Sequence, residues 1–128
     1  MIVPTNIEFK TPDLLDEYQR ISPKLRIVLE DMAAFIVGHG YKFVITDLLS
    51  ELSEDKKLKR VSTSHLEGRG ADVRCTEWPL ELREKLEHYY EAKYRSWAAI
   101  SKETGKENLM LYHVGSALHL HIQLRKGL

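Results

Sequence analysis

The chain reads as an α+β domain in which helices pack on one side of a small, mostly antiparallel sheet. Three observations predict this. Apolar residues recur at helical spacing in the first third, and two alternating segments near the carboxyl end have the form of a hairpin. A composition of 43% apolar and 30% charged residues suits a buried core and excludes disordered, collagenous and membrane-spanning chains. A length of 128 residues is one domain's worth, so residues 1–128 are expected to form a single unit.

Thr11-Pro12-Asp13 combines a capping residue, a proline suited to the first helical position and an acid in the first turn, so a helix is expected to run to about Arg20. Ser22-Pro23 repeats the signal. Leu25, Val28, Leu29, Met32, Phe35 and Ile36 then follow at three- and four-residue spacing until Gly38-His39-Gly40 ends the helix. Tyr41 to Thr46 is β-branched and aromatic and predicts a strand. Ser50 to Arg60 is dominated by charge and is expected as an exposed loop. Val61 to Gly70 is rich in Ser, Thr and Gly, and Ala71 to Cys75 predicts a short strand. Glu77-Trp78-Pro79 opens a further helix with Leu82, Leu86, Tyr89, Tyr90 and Tyr94 on its apolar side. Leu109 to Val114 and Ala117 to Leu124 read as strands joined at Gly115-Ser116.

Nineteen Lys and Arg balance nineteen Asp and Glu, so no global field draws the protein to nucleic acid or anionic lipid, and no nucleic-acid partner is expected. The longest apolar stretch, Met32 to Val37, is far short of the ~20 residues of a membrane-spanning helix, so no membrane insertion is expected. The amino terminus lacks a basic region followed by an apolar one, which predicts cytoplasmic synthesis without a secretory signal. Cys75 is the only cysteine, so intrachain disulfides and Cys-rich zinc patterns are excluded. Any metal must sit on His and carboxylate.

Within Ala117 to Leu124 the side chains alternate, placing His119, His121 and Gln123 on one face and Leu118, Leu120, Ile122 and Leu124 on the other. The leucine face is expected to be buried. The histidine face fits a solvated strand surface or a metal site, with Gln123 expected at the surface, facing substrate, or supporting a ligand from behind. Upstream, His65 and Asp72 flank Gly68 and Gly70, which allow a tight backbone. A loop His, a strand Asp and a strand His make the three-ligand set of a catalytic zinc site, with a fourth position left for water. His113 lies on the strand before the turn, where the hairpin register decides whether it meets His119. His39 is expected in a capping turn and His88 on a helix surface.

These residues resemble a known family, the zinc D-Ala-D-Ala carboxypeptidases and endopeptidases of bacterial cell walls, whose fold is shared with lysostaphin-type enzymes and the hedgehog signalling domain. The family pattern Ser-x-His-x-x-Gly-x-Ala-x-Asp is matched by His65, Gly68 and Asp72, and the later His-x-His by His119-Leu120-His121. The resemblance covers roughly Tyr41 to Leu124. It implies a hedgehog/DD-peptidase-like fold and zinc held by His65, Asp72 and His121. His119, with His113 as a second candidate, would be the nearby catalytic group. The implied activity is hydrolysis of amide bonds in the peptide part of peptidoglycan. The missing secretory signal and the single compact domain suit a phage or prophage lysin, expected as a monomer released toward the wall during lysis.

Departures from the family pattern shape the expectation. Thr63 and Gly70 replace the motif's Ser and Ala. Ser50 stands where relatives carry an arginine that meets a substrate carboxylate, which favours an endopeptidase unless Arg69 or Lys59 supplies the charge. Leu118 stands where many relatives carry an acidic base. That last departure is the sequence argument for the competing reading, a non-catalytic zinc-stabilised binding module.

Overall fold

The computed structural model describes residues 1–49, 67–100, 105–114 and 117–128. The charged segment Ser50 to Arg60, His65, Thr63, Lys59 and the Gly115-Ser116 turn lie outside the described residues. A two-residue strand β1 (Glu8–Phe9) leads into helices α1 (Pro12–Tyr18) and α2 (Pro23–Gly38), then strands β2 (Val44–Asp47) and β3 (Gly70–Arg74). Helix α3 (Leu80–Lys93) and a short 3₁₀ turn (Arg95–Trp97) follow. The chain ends with β4 (Ala99–Ile100), β5 (Glu107–Asn108), β6 (Met110–Val114) and β7 (Leu118–Gln123).

Five strands form one mixed sheet in the order β1-β2-β3-β7-β6, and β4 and β5 form a separate two-stranded ribbon. Within the larger sheet β1 runs parallel to β2, and the other three pairings are antiparallel. The fold class is therefore α+β with three α-helices among the described residues. None of these helices is long and apolar enough to cross a membrane.

Helix α2 ends for a local reason. The Gly40 N–H donates to the Val37 carbonyl and the Tyr41 N–H to the Ile36 carbonyl, with Gly40 at φ +87°. This is the paired-bond stop that glycine permits, because its missing Cβ removes the penalty of the left-handed region. His39 sits in that turn with Nδ1 2.7 Å from the Phe35 carbonyl, as its Gly-His-Gly setting predicts. The strand expected from Tyr41 begins only at Val44, since the Tyr41 amide is still committed to the helix end. Helix α1 stops at Tyr18, short of Arg20, and the Gln19 side chain turns to bond the backbone of Ile2 at both N–H and carbonyl. Thr11 precedes the helix, but its side chain makes no capping hydrogen bond.

The core lies between the helices and one sheet face. Ile45, Ala71, Val73, Leu120 and Ile122 belong to the same buried cluster as Leu25, Val28, Leu29, Met32 and Ile36 of α2 and Leu82, Leu86 and Tyr90 of α3. Leu124 is also fully buried, whereas Leu118 at the start of β7 is only partly so. Tyr89, expected on the apolar side of α3, is exposed and stacks on Phe35. The helices are tied at Asp31, whose carboxylate accepts hydrogen bonds from Tyr90, Tyr94 and Lys93. Burial raises the Asp31 pKa, but these three donors outweigh it and leave the group below its ordinary value.

Candidate metal centre

The register of β3 against β7 and of β7 against β6 sets side chains of the second sheet face in rows. Asp72 pairs with His121, and His121 with Leu111. One row along, Arg74 pairs with His119, and His119 with His113. One row the other way, Gly70 pairs with Gln123. Residues directly opposite in a ladder share a face, so Asp72, Arg74, His119, His121, Gln123 and His113 all lie on the face opposite the core.

Asp72 and His121 are in contact: Nδ1 of His121 lies 2.8 Å from Oδ1 of Asp72. Both side chains are largely buried, 10% and 16% exposed for His121 and Asp72 respectively. The Asp72 backbone carbonyl accepts from the Thr46 hydroxyl at 3.3 Å, which ties the strand to β2 at its bulge. On its other edge, Nε2 of His121 lies 3.2 Å from Oε1 of Gln123. The His113 ring stacks on that of His119 with centroids 5.5 Å apart and meets that of His121 edge-on at 5.9 Å.

An imidazole nitrogen and a carboxylate oxygen, the two donors side by side here, are both ligand types that zinc accepts. The described partners of His121 are both oxygen acceptors, yet a neutral imidazole carries one N–H. One N–H suffices when the Gln123 amide turns its NH2 toward Nε2; with Oε1 there instead, the N–H sits on Nε2 and the Nδ1 lone pair faces Asp72, open to a cation. Two zinc ligands bound at about 2.0–2.1 Å in a tetrahedron stand roughly 3.3 Å apart, so the 2.8 Å pair would open only slightly to admit one. Among the described residues no group of three or more His, Cys, Asp or Glu can hold a metal by itself. The third predicted ligand, His65, lies outside them.

The turn that carries the motif into β3 is described from Glu67 onward. Gly68 adopts φ +70°, and its carbonyl accepts from the Ser22 N–H at 2.8 Å, anchoring the turn to the start of α2. Gly70, read from sequence as a second turn glycine, is instead the first residue of β3. Arg69 is buried and bonded to the Glu67 carboxylate and to the Leu124 carbonyl at 2.6 Å. It is therefore built into the sheet end, not offered to a ligand.

Of the positions expected for Gln123, the surface one does not hold: it is 3% exposed. The cause is its row position, with the β3 segment laid alongside and the Gln123 backbone N–H donating to the Leu109 carbonyl. Two residues of this face went unnoticed as site candidates: Asp47 pairs across the β2 bulge with Asp72, and Arg74 is exposed beside His119. Gln123, foreseen on this face, reaches His121. Alternation from Asp72 could have found Arg74, and alternation from His121 did put Gln123 on this face; no sequence signal marks the bulge that admits Asp47. Cys75 is excluded as a ligand or nucleophile: it is buried, and burial pushes its thiol up to about 11 despite the nearby Arg83.

No family model, curated protein or solved structure matches this chain.

Proposed function

We propose that this protein is a zinc-dependent peptidase of hedgehog/DD-peptidase-like fold that hydrolyses amide bonds in the peptide part of bacterial peptidoglycan, an endopeptidase of phage or prophage lysin type. The observation that carries the reading is the Asp72–His121 pair at 2.8 Å, built on neighbouring strands, with two further imidazoles on the same face. Two motif halves 49 residues apart in sequence meet at that pair. His65, Asp72 and His121 would hold the metal. Bound zinc supplies a Lewis acid for a scissile carbonyl and lowers the pKa of its water to about 7.

The chain's own residues supply positioning and proton handling. Nδ1 of His119 lies 3.4 Å from the Ala117 carbonyl, and a ring donating there keeps its lone pair on Nε2. That nitrogen can take a proton and return it to a leaving amine. His113, stacked on His119, limits the ring's rotation and is the second candidate for this duty. Arg69 is consumed inside the fold, which supports an endopeptidase over an enzyme that reads a terminal carboxylate.

One observation favours the alternative, a non-catalytic zinc-stabilised binding module of the same fold. Leu118, at the position of the family's acidic base, packs against the core. The experiment takes two steps. Zinc per chain is measured by elemental mass spectrometry in wild type and Asp72→Ala after equal dialysis, and purified peptidoglycan is then digested and its fragments weighed. One zinc in wild type, little in the variant and new peptide termini support the peptidase. Zinc without cleavage establishes the binding module, and no zinc in either protein removes both readings.

A further inference from the structure

We propose that Gln123 is the positioning residue of the candidate centre: its side-chain amide holds the Nε2 edge of His121 and thereby presents Nδ1, the nitrogen facing Asp72, to the metal. The inference rests on the zinc reading above and deepens it, because it names the residue that holds the metal-binding ring in place.

The geometry is specific. Oε1 of Gln123 stands 3.2 Å from Nε2 of His121, and Nδ1 stands 2.8 Å from Asp72. With Oε1 so placed and a metal bound, the ring N–H belongs on Nε2 and the lone pair on Nδ1; without metal, the Asp72 carboxylate at 2.8 Å draws the N–H to Nδ1 and the amide offers its NH2 to Nε2. Gln123 is 3% exposed, and Gly70, its partner across the ladder, has no side chain to compete for the same space. The amide's own Nε2 is buried and has no hydrogen-bond partner. A buried donor left unmade costs free energy, so the amide's placement is not explained by its own satisfaction.

An amide is suited to this position as no other side chain of its size is. Presenting Oε1, it accepts from Nε2–H and leaves Nδ1 bare for a metal. Turned over, it donates to a bare Nε2, and the ring then gives its Nδ1–H to Asp72. One residue thus serves both the metal-bound and the metal-free tautomer. A carboxylate could serve only the first, and a thioether neither. Partners of this kind on the far nitrogen fix ring orientation, and their loss lowers metal affinity roughly 10–100-fold.

The test uses Gln123→Met, of similar volume, and Gln123→Glu. Zinc affinity is measured by competition with a chromophoric chelator, and the tautomer of His121 is read by long-range proton–nitrogen NMR on ¹⁵N-histidine protein, with and without zinc. In wild type the expected result is Nε2–H with zinc and Nδ1–H without it. Gln123→Met is expected to lose about 10–100-fold in zinc affinity, while Asp72 keeps the metal-free ring as Nδ1–H. Gln123→Glu should keep its affinity within a few-fold, its carboxylate accepting from Nε2–H when zinc is bound. Wild-type affinity in Gln123→Met, or zinc on Nε2 of His121, overturns the proposal while leaving a zinc protein. A wild type that takes up no zinc overturns the zinc reading and, with it, the role of Gln123.

Discussion

Gly68 is where a single methyl group should test the turn that carries the metal motif. Its φ of +70° lies in the left-handed region, which costs an L-residue about 1–2 kcal/mol. An added Cβ would stand 3.3 Å from Cδ2 of Leu49, 3.5 Å from Cα of Ile21 and 3.7 Å from the Arg20 carbonyl. The tight contact is with the far end of a flexible side chain, so crowding adds little. Alanine also narrows the unfolded ensemble, returning about 0.4–1 kcal/mol. Gly68→Ala should therefore destabilise by about 1 kcal/mol, a fall in Tm of roughly 3–6 °C for a chain of this size. The decisive comparison is Gly68→Asn, bulkier than alanine but more tolerant of positive φ. The expected order of stability in thermal and urea melts is wild type, Asn, Ala, Val. An order following side-chain volume, with Asn below Ala, would refute the conformational argument and make space at Leu49 the cause.

Three further outcomes follow from the geometry. His121→Ala should abolish zinc binding, whereas His119→Ala should keep the metal and lose turnover; a digest in which His119→Ala cleaves at the wild-type rate removes its proton-transfer role. The Asp31 carboxyl sits below its ordinary value in the folded state, so its stabilisation is present above about pH 4 and lost as pH falls through the folded value. Asp31→Asn should then flatten the acid limb of the melting profile between pH 5 and 2, on the order of the unperturbed carboxylate range, and an unchanged limb would contradict this. Cys75, buried with its thiol raised to about 11, should resist a chromogenic disulfide reagent at pH 8 until denaturant is added; prompt labelling of native protein would mean that the β3 end opens readily.

Much of the fold was legible in the sequence because local rules carry it. The spacing of Leu25 through Ile36 specified α2, and Gly40 specified its end, since only glycine takes that conformation without penalty. Alternation in β7 separated Leu120 and Ile122 from His119 and His121, and the structure buries the first pair in the core. Where reading failed, a non-local contact decided. Tyr89 has helical spacing with Tyr90 but lies at the rim of α3, and Leu118 sits where the core ends. The strand Glu8–Phe9 carries no signal of its own and exists because β2 offers it an edge.

The same division runs through the candidate site. Sequence alone determined which residues are chemically able to act, because His, Asp and Gly roles depend on side-chain type and short spacing. It also determined that His119, His121 and Gln123 share a face, since strand alternation is a property of the backbone. Only the tertiary structure decided that Asp72 stands opposite His121 and His113 opposite His119. Register is chosen by how the core faces of three strands pack together, and a slip of one residue would turn every imidazole inward. The burial of Gln123 against His121 belongs to that level too, for no local rule can tell which neighbour a side chain will meet when the sheet closes over it.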